Sequence, residues 1–151
     1  MTLITVFLIM QILLNPVTRV TIPQVMDYPV KQQAGDEIFE GDIVTQYRHA
    51  DLGLIAHNTQ AGKKFSQIVH GDEVIITRGD NTKELFTVWS IQMYERLPYG
   101  MWRSLNTGEE IGNNRLFERV YGGAYHLTLQ TCIMRGEDYE WGRLFILAYE
   151  E

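Results

Sequence analysis

His126-Leu127-Thr128-Leu129-Gln130-Thr131-Cys132 alternates apolar and polar residues and ends on the chain's only cysteine. Alternation of this kind marks a half-buried strand, because successive side chains of an extended chain point to opposite faces. Leu127, Leu129 and Thr131 share one face, which the leucines assign to a core. His126, Thr128, Gln130 and Cys132 share the other, which is expected to be the more exposed. A thiol at the end of a rigid element, with a loop beyond it, is well placed to act as a nucleophile. A free cysteine is more often a small apolar residue of a core, and this stretch by itself leaves both readings open.

The chain of 151 residues is long enough for one domain with a sizeable core and too short for two. Its 45% hydrophobic and 21% charged residues are those of a globular protein rather than a disordered one. A net charge of −6, with no dense cluster of Lys and Arg, argues against a nucleic-acid partner. A single cysteine excludes an internal disulfide framework and any multi-cysteine zinc site.

Upstream of the opening stretch, Leu3 to Leu14 is an apolar run broken only by Thr5 and Gln11 and followed by Asn15-Pro16. It is short for a membrane-spanning helix, which needs about 20 residues. It has the length of a signal-peptide core, about 7–15 residues, although the first cation, Arg19, lies beyond it. Two readings stand side by side: an export signal or anchor, giving membrane association through the N-terminus, or a buried N-terminal helix or strand of the fold. From Thr18 onward Pro23, Pro29, Gly35, Gly41 and Gly53 punctuate short β-rich pieces, among them Arg19–Ile22, Glu37–Phe39 and Ile43–Tyr47. Short strands at this spacing predict an all-β barrel or sandwich.

Leu52–Ala56 is a brief strand that delivers His57 and Asn58 into a loop. Thr59–Val69 reads as a loop with one helical turn that packs Phe65, Ile68 and Val69 across a barrel end. Glu73–Arg78 and Glu84–Tyr94 form a hairpin across Gly79-Asp80-Asn81. The second of these strands carries apolar groups on both faces and is expected to be well covered. Leu97–Asn113 reads as a long irregular connection. Asn114–Tyr121 reads as an amphipathic helix capped by Asn113 or Asn114 and ended by Gly122-Gly123. A loop over Ile133–Trp141 and a closing strand Arg143–Tyr149 complete the chain.

A cysteine with a pKa of about 8.5 is only roughly 3% thiolate at pH 7, so thiol catalysis needs a base or cation close by. Of the four histidines, His49 and His70 lie in polar or turn sequence. His126 is on the same strand as Cys132, about 20 Å away when extended. His57, presented by a loop straight after a buried strand, remains as the candidate base. Arg143 opens the last strand across a loop from Cys132; it is either a solvated charge or a guanidinium placed to bind a developing oxyanion. Arg135 lies in the loop itself and is expected to be solvated. Asp36, Glu37, Glu40 and Asp42 form an acidic cluster without calcium-ligand spacing, expected to be a solvated face.

Taken together, Leu127-Thr128-Leu129-Gln130-Thr131-Cys132 resembles the Thr-Leu-x-Thr-Cys motif of sortases, the cysteine transpeptidases of bacterial cell surfaces. Gly53-Leu54-Ile55-Ala56-His57-Asn58 resembles the family's strand ending in Gly-His, with Ala56 in place of the usual glycine. Gly142-Arg143-Leu144-Phe145-Ile146-Leu147-Ala148 resembles its final strand, which begins with an arginine. The resemblance implies a mostly β fold, a closed eight-stranded barrel with one or two short helices. The organisation is then an apolar segment over residues 1–17 and a catalytic domain over 18–151.

It further implies that Cys132 attacks a threonyl carbonyl in the sorting motif of a surface protein, forming a thioester that an amine of peptidoglycan or a pilin lysine resolves. His57 moves protons and Arg143 steadies the oxyanion. Thr128, Gln130, Thr131 and Asn58 are the expected substrate contacts, although the family often has a smaller or apolar residue at the place of Gln130. No cofactor or metal is implied, and the site of action is outside the cytoplasm. Two rival readings share the fold: a hydrolytic cysteine protease, and a non-catalytic binding module with an idle thiol.

Overall fold

The computed structural model describes Leu3 and residues 15–151. The rest of the apolar run behind the export reading lies outside the described residues. Val17, on the N-terminal side of the expected domain boundary, opens the first strand and is fully buried. No helix among the described residues is long and apolar enough to cross a membrane.

Ten strands alternate with short helical pieces: β1 (Val17–Ile22), β2 (Met26–Gln32), β3 (Val44–Gln46), β4 (Gly53–Ile55), β5 (Glu73–Arg78), β6 (Lys83–Leu97), β7 (Met101–Ser104), β8 (Glu110–Gly112), β9 (Leu127–Arg135) and β10 (Asp138–Glu150). The helix α1 (Asn113–Tyr121) precedes β9, and 3-10 turns occupy Ala61–Gln67 and Pro98–Gly100. The strands are ordered β10-β9-β4-β3-β2-β1-β5-β6, and a second pairing of β6 with β10 closes these eight into a barrel. β7 and β8 extend the sheet beyond β6. The eight-stranded closed barrel expected from the sequence is therefore present.

Its interior is filled by the inward faces of the strands, including Val20, Leu54, Ile76, Phe86, Leu129 and Ile146. Ala61, Phe65 and Ile68 of the loop after β4 join the same core, whereas Val69 is exposed. A second core lies outside the wall: Tyr94, Phe145 and Leu147 pack against Trp102 and Ile111 of the β7–β8 hairpin and against Leu116 and Val120 of α1. This explains the unbroken run Leu144–Ala148. Leu144, Ile146 and Ala148 face the barrel interior, Phe145 and Leu147 face the hairpin and helix, and both faces of β10 are dry.

Several expectations of the sequence reading are corrected. Pro29, read as a turn signal, lies inside β2, which pairs with β3 only from Val30 onward; proline is tolerated where a strand has a partner on one side only. Pro23 does make a turn, with Val25 N donating to Ile22 O at 3.0 Å and Gln24 at φ 65°. Glu37–Phe39 is a loop whose backbone is tied by side chains, Phe39 N donating to Thr45 Oγ1 at 2.8 Å. The connection from Leu97 to Asn113 contains the β7–β8 hairpin; the left-handed Tyr99 and Gly100, at φ 62° and 69°, reverse the chain so that Leu97 pairs with Met101.

Likewise, the expected loop over Ile133–Trp141 is mostly strand, since β9 and β10 continue to a tight turn at Gly136. α1 is preceded by Gly112 at its N-cap rather than by a capping asparagine. The outer face of β6 is only partly covered: a bulge opposite Leu147/Ala148 shifts its register, and Leu85 and Trp89 stand exposed.

Candidate active site

Antiparallel pairing of β9 with β10 sets Cys132 directly opposite Arg143. Phe145 and Leu147 of β10, on the same face as Arg143, pack in the outer core, so Cys132 and Arg143 stand side by side on the outside of the wall. β4 runs parallel to β9 with Gly53 level with Thr128, Leu54 with Leu129 and Ile55 with Gln130. The register continues past the end of β4: Ala56 N donates to Gln130 O at 3.1 Å and Thr131 Oγ1 donates to Ala56 O at 2.8 Å. That brings His57 level with Cys132. Parallel strands end at the same edge of a sheet, which is why a histidine after β4 and a cysteine near the end of β9, far apart in sequence, reach one place.

The turn carrying His57 is held from beneath. Gly62 N and Gln60 N donate to His57 O at 2.9 and 3.0 Å. A Cβ on Gly62 would stand 2.7 Å from that oxygen and 2.8 Å from Ala56 O, and closer still to Thr131 Oγ1, so only glycine fits. The His57 ring places Nε2 3.2 Å from Ile38 O. A carbonyl only accepts, so Nε2 carries the proton and Nδ1 is left as the basic nitrogen. Among the described residues no hydrogen bond joins this ring to the sulfur.

Arg143 is fixed on several sides. Its guanidinium lies 5.5 Å from the ring centre of Trp102, whose Nε1 donates to Asn113 Oδ1 at 3.1 Å. Nη1 donates to Gly142 O at 3.2 Å, and Nη2 lies 3.9 Å from a Glu140 carboxylate oxygen. Arg96 in turn approaches Glu140 and Asp138 at 3.6 and 3.7 Å. Cys132 is half-buried. Burial pushes its thiol above the ordinary cysteine value; the Arg143 guanidinium pulls the other way and the Glu140 carboxylate adds to the rise.

Two cavities flank this pair. One of about 690 Å³ reaches Cys132, Asn58 and Thr59 and is walled mainly by apolar side chains. The other, of about 270 Å³, reaches Arg143 and Gln130 and is walled by aromatic groups including Tyr47, Tyr121 and Trp102. Of the expected substrate contacts, Gln130 lines the smaller cavity, accepting a hydrogen bond from Tyr121 OH. Burial holds the Tyr121 hydroxyl far above its ordinary value, so it stays a donor. Asn58 lines the larger cavity and its Nδ2 donates to Tyr139 O at 3.2 Å.

Thr128 does not floor a groove: it is buried beneath α1 and donates to Val120 O. Thr131 is buried with its hydroxyl donating to Ala56 O, and it also lines the larger cavity. His126, expected on an exposed face, is buried, has its ring nitrogens on the carbonyls of Ala124 and Val120, and stacks on Tyr149. Trp102, Tyr121 and Glu140 were not singled out from the sequence. Their signal was weak, since each reaches the site from an element expected to be loop or helix surface.

No protein-family model matches the chain, and no curated protein matches it in sequence. Solved structures do. The sortase SrtA of Actinomyces oris aligns at TM-score 0.63 and 13% identity, covering 89% of this chain and 79% of that one. A lid mutant of sortase A from Corynebacterium diphtheriae aligns at 0.63 and 14%, over 89% and 69% of the two chains. Sortase C of Clostridium perfringens SM101 aligns at 0.59 and 14%, also over 89% and 69%. At such identities the likeness establishes the fold: the chain has the sortase fold.

Proposed function

We propose that this sortase-fold chain is a cysteine transpeptidase of the bacterial cell surface, acting outside the cytoplasm on a surface protein that bears a sorting motif. The observation that carries the reading is the meeting of Cys132 and Arg143 across β9 and β10, with His57 level with the sulfur at the end of β4. The thiol gives its proton to Nδ1 of His57, and Sγ attacks the scissile carbonyl. Arg143 faces the oxygen as it becomes negative, in a partly water-excluded site where a fixed cation is worth more than in water. The C–N bond then breaks, and His57 protonates the leaving amine. A thioester remains on Cys132. An incoming amine, from peptidoglycan or a pilin lysine, loses its proton to His57 and takes the acyl group, restoring the thiol.

Gln130 and the aromatic wall around it hold the acyl side of the substrate, and Asn58 stands on the side of the leaving amine. The test is incubation of the protein with a small library of sorting-motif peptides and an amine, reading products by mass. A peptide joined to the amine, lost in Cys132→Ala and nearly lost in His57→Ala, is the expected result. Hydrolysed peptide alone would make the chain a protease, and turnover persisting in Cys132→Ala would refute the mechanism.

A further inference from the structure

The two cavities beside Cys132 differ in size, in lining and in which member of the site they reach. The smaller meets Arg143 and not the cysteine; the larger meets the cysteine and not Arg143. In acyl transfer the nitrogen of the bond must lie within reach of the group that moves its proton, which is His57. The residues that follow His57, Asn58 and Thr59, line the larger cavity. A chain attached to that nitrogen therefore leads into the larger cavity, and the acyl chain is left with the smaller one beside Arg143 and Gln130.

The larger cavity has a pronounced chemical character. Phe65, Ile68, Ile91, Met93, Ile133 and Leu144 supply much of its apolar lining, Lys63 is its one charged lining residue, and among the described residues no carboxylate lines it to receive the ammonium of a lysine or a terminal amine. A short polar amine such as glycine would leave these side chains in contact with water. An amine carried on an apolar chain would cover them.

We propose that the cavity walled by Phe65, Ile68, Ile91 and Met93 is the acceptor subsite, and that it selects an amine nucleophile borne on an apolar chain. This rests on the acyl-transfer reading above. In the step concerned, the amine nitrogen attacks the thioester carbon, the new C–N bond forms and the C–S bond breaks. The nitrogen's proton passes to His57 and on to the departing sulfur, so no further reactant is needed. The apolar group enters the cavity as the nitrogen closes on the carbon.

The test needs no knowledge of the sorting motif. The full chain is acetylated at Cys132 with p-nitrophenyl acetate, with Cys132→Ala as the control for other sites. Loss of the acetyl group is then followed by mass in ethylamine, n-butylamine, n-hexylamine and glycinamide. The alkylamines are of near-equal basicity, so their intrinsic reactivity is alike. The second-order rate is expected to rise about two- to fourfold per methylene, the factor for burying that group. Met93→Gln, on the partly exposed rim, and Ile68→Thr are expected to flatten the rise. Equal rates for all the amines, or a rise of the same steepness in both variants, would overturn the acceptor subsite while leaving the thioester chemistry in place. Failure of Cys132 to take the acetyl group would instead overturn the proposed function, and the subsite with it.

Discussion

Replacing Gly62 by alanine sets two effects of opposite sign against each other. The residue lies in the 3-10 turn Ala61–Gln67, is buried, and does not need a left-handed backbone. On conformational entropy alone, alanine would stabilise the fold by about 0.5–1 kcal/mol. The added methyl, however, would meet His57 O at 2.7 Å and Ala56 O at 2.8 Å, against ordinary contact at 3.4–4 Å. These are backbone atoms and cannot swing aside, and Thr131 Oγ1 is closer still.

Relief requires the turn after β4 to move by more than half an ångström, at the expense of the Gly62 N to His57 O bond of 2.9 Å and the Thr131 Oγ1 to Ala56 O bond of 2.8 Å. Overpacking costs about 1–3 kcal/mol, and a buried hydrogen bond left unmade costs about 1–3 kcal/mol more. After the entropic gain, the net loss is about 1–5 kcal/mol, which for a chain of this length lowers Tm by about 2–20 °C. Urea unfolding and thermal melts measure it. The same movement displaces His57, so acyl transfer should fall at temperatures where Gly62→Ala is still folded. A variant as stable as its parent, with undiminished transfer, would refute the account of how the His57 turn is held.

The remaining predictions concern charge and burial. The rate at which Cys132 reacts with iodoacetamide should rise with pH and reach half its maximum above pH 9.0, because the thiolate is the reactive form and burial keeps the thiol protonated. Arg143→Met, which removes the attraction, should move that midpoint higher, and Glu140→Gln should move it lower; shifts of the reverse sign would contradict the local charge arrangement. Thr128→Val should destabilise the protein by about 1 kcal/mol in urea, since its hydrogen bond to Val120 O is lost. Transfer should persist, because the side chain lies under α1; a selective loss of transfer at full stability would restore Thr128 to the groove.

Legibility in the sequence followed the extent to which a feature is written in local pattern. The alternation from Leu127 to Cys132 gave the inward face correctly, as Leu127, Leu129 and Thr131 are all buried in the barrel. It could not give the outer face, because period-2 alternation says which residues share a side and nothing about what later packs there. α1 and the β7–β8 hairpin cover that side, so Thr128 and His126 became structural residues. The hairpin itself was hidden because β7 and β8 are only 4 and 3 residues long and lie among Gly100, Gly108 and Gly112. Pro29 was misread because a proline's meaning depends on whether its strand has a neighbour on both sides.

From the sequence, periodicity and turn spacing pointed to a β barrel or sandwich and to the inward core, and the resemblance of three short motifs to those of sortases pointed to the closed barrel and to His57, Cys132 and Arg143. Each of these signals is contained within a single strand or its end. Tertiary structure decided how they stand to one another: Arg143 beside the sulfur through antiparallel register, and His57 level with it through the parallel pairing of β4 with β9. It also decided what surrounds them, placing Trp102 under the guanidinium, Tyr121 on Gln130 and an apolar cavity beside the thiol. Such neighbours come from segments far apart in the chain, brought together by closure of the barrel and burial of its outer wall. No local pattern carries that information.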